Sequence, residues 1–577
     1  MDPQEAAALG QPSRPAATPK EQAERHAPSR SQRQIQATRR VWIAAAVFAA
    51  VGLLLQWWRL SVLTASYDQG IFLQVLANGW RGHPFESTLS SQLSTNVVHG
   101  GELPALGYHR LGQHFTPILV LWIPLVRLLG LWALPLIQVG LVTAAGLVLH
   151  QLARRRLEPG LAAWIAFSFF AANAVVGPTW GNFTDLCQLP LVFFLLILGL
   201  ERRCLWQIVL GALVMPLIRE DTGVLLVGVA LWLVVRQRQR WPLALALAAY
   251  GGGWVVLVTN GLMPLFSEDN SRRFMVENFG QYLGERNQAS SLEVLLLVLR
   301  QPLILLRELV SPPGQTLRYL LAQGLPLIFV PLIALDSWLL MGLPLLGLLL
   351  AQGTNNPLSI NIRYTFLVVP GLFSGAVFWW GRHGAVFHRR HLKAVWSGAL
   401  LLSLLFALSA NPNRSLSFLI PDSIHPWVYQ APWRQWQHGQ AARRALSTIP
   451  AEASVAANTP LVPLLASRPV VVRFPYAEAY QDRQGQERPV DWIAVDVDWL
   501  QRYAVAFPGD EQQYRKVRKR LRQLVNEQRY GIRQLEDGVV VLERGAPSRS
   551  SDQRQLKQLL SQGQDDTQAE SKSDKVR

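Results

Sequence analysis

The sequence predicts a polytopic α-helical membrane protein with a small C-terminal α/β domain. Three observations predict it. Apolar runs of about 17–25 residues recur between residues 41 and 410, the length that crosses a hydrocarbon core. Half of the 577 residues are hydrophobic, 21 are Trp and only 16% are charged. Beyond residue 410 the pattern changes to mixed polar sequence with short strand-like and helical segments. A net charge of +17 would suggest nucleic acid in a soluble protein. Here much of it sits in short loops between apolar runs, where Lys and Arg mark the cytoplasmic face, and no nucleic-acid partner is expected. The two cysteines, Cys187 and Cys204, flank one apolar run and so lie at opposite ends of it. That argues against a disulfide and excludes a Cys-based metal site. The first apolar run begins too far into the chain for a standard signal sequence.

Residues 1–40 are rich in Ala, Gln, Pro, Ser and Arg, lack apolar periodicity and are expected to be disordered. Arg39 and Arg40 precede the first span, residues 41–58, which places the tail in the cytoplasm and Asp68 outside. A long outer loop follows over residues 60–114, and Tyr67-Asp68-Gln69-Gly70-Ile71-Phe72 opens an expected amphipathic helix at the membrane interface. Residues 115–129 contain Pro117, Pro124 and Arg127 and are read as interfacial or re-entrant, so the next span is 131–152, ending inside at Arg154-Arg155-Arg156. The parity then runs out through 161–176, back through 189–200, out through 205–218 and back through 223–235. Arg219-Glu220-Asp221 lies at the outer turn of that last, short pair, which suits a shallow hairpin around a water-filled cavity. Spans 243–265, 317–335, 338–350, 364–380 and 395–410 follow, with outer loops holding Ser267 to Leu309 and Asn355 to Arg363. The count is about eleven spans. Residues 411–545 form the α/β domain, placed outside, with helices at 433–449 and 510–528, strands at 454–457, 470–474 and 492–497, and a hairpin around Asp537-Gly538. Residues 546–577 are expected to be a disordered tail.

Ionisable groups at membrane depth are costly and by default mark function. Asp68, Asp185 and Arg219-Glu220-Asp221 fall on the same, outer side in this topology. Each also has a structural explanation. Asp68 and Asp185 stand where a helix N-cap would, and Arg219-Glu220-Asp221 could be a local ion pair at a hairpin turn. Asn182-Phe183-Thr184 matches the N-glycosylation pattern and is treated as chance.

The order of motifs carries a resemblance. Tyr67-Asp68-Gln69-Gly70-Ile71-Phe72, then His114-Phe115-Thr116-Pro117, then Asn182-Phe183-Thr184-Asp185 and Arg219-Glu220-Asp221 are similar to elements of a bacterial family of predicted membrane proteins of unknown function. That family resembles the GT-C superfamily of integral-membrane glycosyltransferases, such as the protein mannosyltransferases and the aminoarabinose transferase. The resemblance covers residues 41–410, and the C-terminal domain only loosely. It implies a GT-C-like fold in a bacterial plasma membrane, a polyprenyl-phosphate sugar donor, an active site at the outer face, and an essential acid in the first outer loop. By position that acid is Asp68, and the second acidic position is Asp185. A single Asp stands where many members carry an acidic pair. The Lys-Pro-Pro-Leu element of aminoarabinose-type enzymes is absent, with His114-Phe115-Thr116-Pro117 in a comparable place.

Glycosyl transfer from a lipid phosphate needs a base for the acceptor and cations for the departing phosphate. Asp68 suits the first, with Asp185, Glu220 and Asp221 as further catalytic candidates. Arg219, Arg272, Arg273 and Arg363 suit the second, because guanidinium grips phosphate bidentately. Arg272 and Arg273 are equally explained by lipid headgroups. His109 and His114 could serve either need or be structural, and Tyr67, Gln69 and Tyr364 complete the expected substrate contacts. Mg²⁺ or Mn²⁺ could bridge Asp68, Asp185 and Glu220 or Asp221, although the spacing contains no metal motif, so the cofactor stays open. The partners expected are a lipid-linked sugar donor and membrane lipid, with the acceptor unidentified. A transporter or lipid flippase using the same charges, and a non-catalytic scaffold, are the competing readings.

Overall fold

The computed structural model describes residues 30–573 except 285, 287 and 352–357. The expected disorder of residues 1–29 and the start of the loop at Asn355 therefore lie outside the described residues.

The first helix is Arg30–Ser61, so it begins well before the apolar run. The end of the expected disordered tail, Gln-Arg-Gln-Ile-Gln-Ala-Thr-Arg-Arg, contains no Gly or Pro, and an established helix propagates back through it. Among the described residues, four helical runs are long and apolar enough, by length and composition, to cross a membrane: Ser31–Ser61, Pro117–Ala153, Arg238–Leu265 and Leu392–Ser409. Pro159–Ala171 and Asn173–Trp180, bent by 43°, make a fifth if taken together. Leu205–Leu217, Gly223–Arg236 and Leu335–Leu350 are apolar but shorter. The expected crossing at 317–335 is not one helix. It is divided into Pro313–Gly324, Leu325–Leu327 and Val330–Ile333, with Ile328 and Phe329 in the left-handed region at φ 48° and 61°. The stretch read as interfacial joins the next span in one run. Pro117 and Pro124 each sit in the first turn of a helical piece, where a missing N–H costs nothing, and Gly130 at φ 55° breaks the run before Ala133–Ala153.

Helix packing rests on small residues. A Cβ on Gly223 would meet the Gly251 carbonyl at 2.5 Å, so the helices Gly223–Arg236 and Trp241–Leu257 approach backbone to backbone. At the end of the bundle where the sequence puts its basic loops, the acids are claimed by arginines. Asp336, 1% exposed, accepts from Trp232 Nε1 and Arg236 Nε at 2.9 Å and pairs with Arg382. Arg156 pairs with Glu201 at 2.7 Å. These arginines are structural.

The C-terminal region carries a five-stranded sheet in the order Val471–Arg473, Val455–Ala457, Trp492–Asp496, Val539–Arg544, Tyr530–Glu536. The first three are parallel and the last two antiparallel to their neighbours. The hairpin turns at Asp537 (φ 47°) and Gly538 (φ 78°), the pair of left-handed residues that a type I′ turn requires. Helices Pro432–Leu446, Val497–Ala504 and Pro508–Asn526 accompany the sheet. Their shared core includes Val472, Ile493, Val495, Leu500, Val517 and Leu542. The tail expected to be disordered carries a helix, Ser550–Ser573. Its Leu556 and Leu560 are buried in that same core, four residues apart on one face.

The helix Tyr67–Trp80 does not lie on a membrane surface. Ten of its residues are buried. Gly70 meets Val462, where an added Cβ would come within 2.5 Å of Val462 Cγ1. Gln74 reaches the carbonyls of Arg468 and Pro469, and Thr88 Oγ1 donates to the Val471 carbonyl at 2.6 Å. The first loop is thus a layer between the apolar helices and the sheet, and its Gln side chains are internal struts.

Candidate functional site

Asp68 is held at the first turn of Tyr67–Trp80, with Ser66 as the helix N-cap. It is therefore not itself the cap, and its carboxylate is free to accept from Arg363 Nη1 at 2.8 Å. Asp68 remains partly exposed, on the wall of a polar cavity of about 160 Å³ with Asn182, Thr184, Arg363, Tyr364 and Asn413. Asn182 builds this wall: its Oδ1 accepts from Arg59 Nη2 at 2.9 Å and from the Ser66 amide, and its Nδ2 donates to Ser66 Oγ. Asn182 is internal scaffolding, which supports treating its glycosylation match as chance.

Tyr364 joins this cavity to a second one of about 490 Å³. The second cavity is mostly apolar, with Leu295, Val298, Leu299, Leu343 and Leu346 among its walls, and has His114, Arg219, Glu220 and Asp221 at its rim. Arg219 and Arg363 both stack over the Tyr364 ring, at 5.5 and 5.3 Å. The mostly apolar cavity thus reaches Arg219 and Tyr364, and Arg363 and the carboxylate of Asp68 line the polar cavity that Tyr364 shares.

Glu220 is tied on both oxygens, accepting from the Phe115 amide and meeting His114 Nδ1, each at 2.9 Å. Burial, together with the nearby Arg110 and Arg219 charges, holds His114 well below its ordinary value, and burial raises Glu220. The His114–Glu220 contact is a bridge that fixes the His114-Phe115-Thr116-Pro117 element against the turn at Arg219-Glu220-Asp221. Asp221 pairs with Arg219 through Nε at 2.8 Å and through Nη2. Asp185 is buried, and its Oδ1 accepts from the Thr184 hydroxyl and the Leu186 amide at the start of Asp185–Gln188. Its carboxylate lies close enough to act electrostatically on Arg110, His114, Arg219, Glu220 and Arg363.

Other expected residues are dispersed. Tyr67 donates to the Leu89 carbonyl, and Gln69 Oε1 accepts from the Phe183 amide at 2.6 Å, so both brace the loop. His109 stacks on Phe266 at 4.5 Å and makes no contact with the cluster. Arg272 pairs with Glu268 one turn away, while Arg273 stands 3.6 Å from Glu277. Two residues near the cluster escaped sequence reasoning: Arg110, buried in the first loop, and Arg473, from the C-terminal sheet. Arg110 lies in a loop with no acid beside it, and Arg473 sits within the apolar segment 470–474, where one charge reads as the outward position of a strand.

The donor set here fits ion pairs better than a metal cage. Asp68 is engaged by Arg363, Asp221 by Arg219 and Glu220 by His114. Among the described residues, the group whose ligand atoms lie within 4.8 Å of one another is His438, Asp496 and Asp498, in the C-terminal region.

The chain matches the family described as "Predicted membrane protein (DUF2079)" over residues 59–541. The match runs through the C-terminal sheet, beyond the limit at residue 410 set by the motifs. No curated protein matches the chain. Among solved structures it is similar to ArnT from Cupriavidus metallidurans bound to undecaprenyl phosphate, at 13% identity and a TM-score of 0.47, over 87% of this chain and 97% of that one. It is also similar to the Archaeoglobus fulgidus oligosaccharyltransferase in complex with Zn and sulfate, at 12% identity and a TM-score of 0.38, over 84% of this chain and 71% of that one. The family match spans most of the sequence, and the chain belongs to that family.

Proposed function

We propose that this member of the DUF2079 family is a membrane glycosyltransferase that moves a sugar from a polyprenyl-phosphate donor to an extracytoplasmic acceptor. The observation that carries the reading is the junction of the two cavities at Tyr364. The apolar slot suits an isoprenoid chain, the guanidinium groups of Arg219 and Arg363 suit its phosphate, and the polar cavity beyond has room for a sugar beside Asp68.

In this mechanism the acceptor hydroxyl attacks the anomeric carbon as the bond from that carbon to the phosphate oxygen breaks. Asp68 accepts the hydroxyl proton. The leaving phosphate keeps the bonding electron pair, and Arg363 and Arg219 stabilise the charge that develops on it. Arg363 holds Asp68 in the resting protein, and a phosphate would draw that guanidinium away, freeing the carboxylate as the donor seats. Asp185 orients the arginines by its charge, and the His114–Glu220 bridge fixes the rim.

Transfer from radiolabelled polyprenyl-phosphate sugars by the purified protein in lipid, compared with Asp68→Asn, tests the proposal. Lipid-dependent passage of a substrate across vesicles without any product would replace it with the transporter reading.

A further inference from the structure

Most large apolar side chains left exposed beyond residue 410 fall in one stretch between the last span and the sheet: Leu419, Ile424, Trp427, Tyr429 and Trp433. Leu419, Ile424, Trp427 and Trp433 are between 63% and 68% exposed. Ser423–Ile424 and Trp427–Val428 pair as a short antiparallel hairpin around His425-Pro426. The strand alternation divides its side chains. Val428 is buried in the core of the C-terminal sheet, while Trp427 points the other way, with its ring 6.2 Å from that of Tyr429. A hairpin this short is marginal in water, and a soluble surface rarely gathers bulky apolar groups so densely.

The patch is tied to the end of the first membrane helix. Trp58 packs edge-on against Phe418 at 5.4 Å, and Tyr429 Oη donates to the Phe418 carbonyl at 3.1 Å. The helix Pro432–Leu446 lies along the same end. Its Arg443 donates to the carbonyls of Leu60 and Ser61, its Gly439 meets the Ser61 carbonyl, and its Trp436 packs on Trp57 at 5.3 Å and Trp58 at 6.3 Å. Going from Arg443 to Trp436 thus leads from Ser61 back into the apolar run. Trp433 stands about 4.5 Å further along the helix in that direction. At this level the first helix leaves Trp57 and Leu54 41% and 60% exposed, both within the apolar run. Leu419 follows the end of the span Leu392–Ser409 by only ten residues.

We propose that the hairpin and the first turn of Pro432–Leu446 are a membrane foot. They rest in the boundary between lipid headgroups and acyl chains at the Ser61 end of the bundle, with Ile424, Trp427 and Trp433 in contact with lipid. Trp and Tyr favour this boundary because their rings are apolar and their N–H or O–H reaches water. The occupant is the bilayer, because the patch is continuous with the exposed apolar side chains of the first span. The C-terminal sheet is thereby held at a fixed height over the membrane, whichever reaction the site performs.

The test uses the full-length protein in phosphatidylcholine nanodiscs, loaded with one and, separately, with two proteins per disc. A fluorophore is attached to a single cysteine in a Cys204→Ser background, where the remaining Cys187 is buried. Labels at Ile424→Cys, Trp427→Cys and Trp433→Cys are compared with Leu54→Cys on the first span and Lys519→Cys on an exposed helix face. Each is quenched by phosphatidylcholine carrying a nitroxide near its headgroup and by aqueous iodide. The expected result is lipid quenching at the three foot positions within about twofold of Leu54, and iodide quenching at least about twofold below Lys519. Three positions are used so that loss of folding in one variant leaves two that report. Iodide quenching equal to that of Lys519, with no lipid quenching, would overturn the foot. Protection from both quenchers would also overturn it and put protein on the patch, a second copy if protection appears only with two proteins per disc. Lipid quenching at Trp433 alone would confine the contact to the helix and overturn the hairpin's part in it.

Discussion

Replacing Gly70 by Ala tests how the Asp68-bearing helix is seated. The new Cβ would stand 2.5 Å from Val462 Cγ1, where ordinary contact begins near 3.4 Å, so one side must give by nearly 1 Å. Overpacking of this kind costs about 1–3 kcal/mol. A Gly→Ala change in a helix interior returns about 0.5–1 kcal/mol. The net expectation is a loss of about 0–2.5 kcal/mol. Val462→Ala alone forfeits a buried valine side chain, about 1.5–3 kcal/mol. In the double variant the new methyl fills part of the space that Val462 vacates, so the two changes compensate by about 1 kcal/mol or more. Denaturant unfolding in mixed micelles, followed by tryptophan fluorescence, gives the four corners of the cycle. Strict additivity, or a Gly70→Ala variant more stable than wild type, would refute the close packing of this helix against the C-terminal region.

Two further outcomes follow from charge placement. His438 is buried, which lowers its pKa, but Asp496, Asp498 and hydrogen bonds to Asp496 and Asp537 more than reverse this and raise it from 6.5 to about 9. Its contribution to stability is therefore complete below pH 6.5 and is lost as pH rises through about 9, and His438→Gln flattens that part of a pH-stability profile. A profile with the same slope in wild type and variant would contradict this assignment. Asp336→Asn leaves Arg236 and Arg382 without their shared carboxylate and costs about 3–5 kcal/mol, the range for breaking a buried pair. It should depress the yield of folded protein while Arg515→Gln, at an exposed pair with Glu511, does not. Equal yields of the two variants would count against the buried triad.

Much of the C-terminal fold was legible because its signals are local. The continuous apolar run of Trp492–Asp496, which reads as a strand buried on both faces, and the Asp537-Gly538 turn need no distant partner to declare themselves. The helix Tyr67–Trp80 was legible as a helix but not as a buried one. Its Gln69, Gln74 and Asn78 look solvent-facing in sequence, and only the fold supplies their internal partners. Leu556 and Leu560 were overlooked in a polar tail, where with Leu559 they form only one short i, i+3, i+4 set amid Ser, Gln, Asp and Lys. At the site, Asp68, Asp185 and Arg219-Glu220-Asp221 were visible as charges amid apolar sequence, and the fold draws them together. The pairing of Asp68 with Arg363 joins residues 295 apart, and no spacing rule reaches that far. Arg473 was invisible for the same reason.

The most direct test of the account is donor turnover by the purified protein in lipid, with Asp68→Asn measured beside wild type. Asp68 is partly exposed and singly paired, so its removal should cost stability no more than about 1 kcal/mol. Loss of a general base lowers the rate about 10²–10⁴-fold. The account predicts transfer from one polyprenyl-phosphate sugar by wild type, a loss of that size in Asp68→Asn, and unfolding temperatures that nearly coincide. Full turnover by Asp68→Asn, or no binding of any polyprenyl-phosphate sugar by wild type, would contradict it.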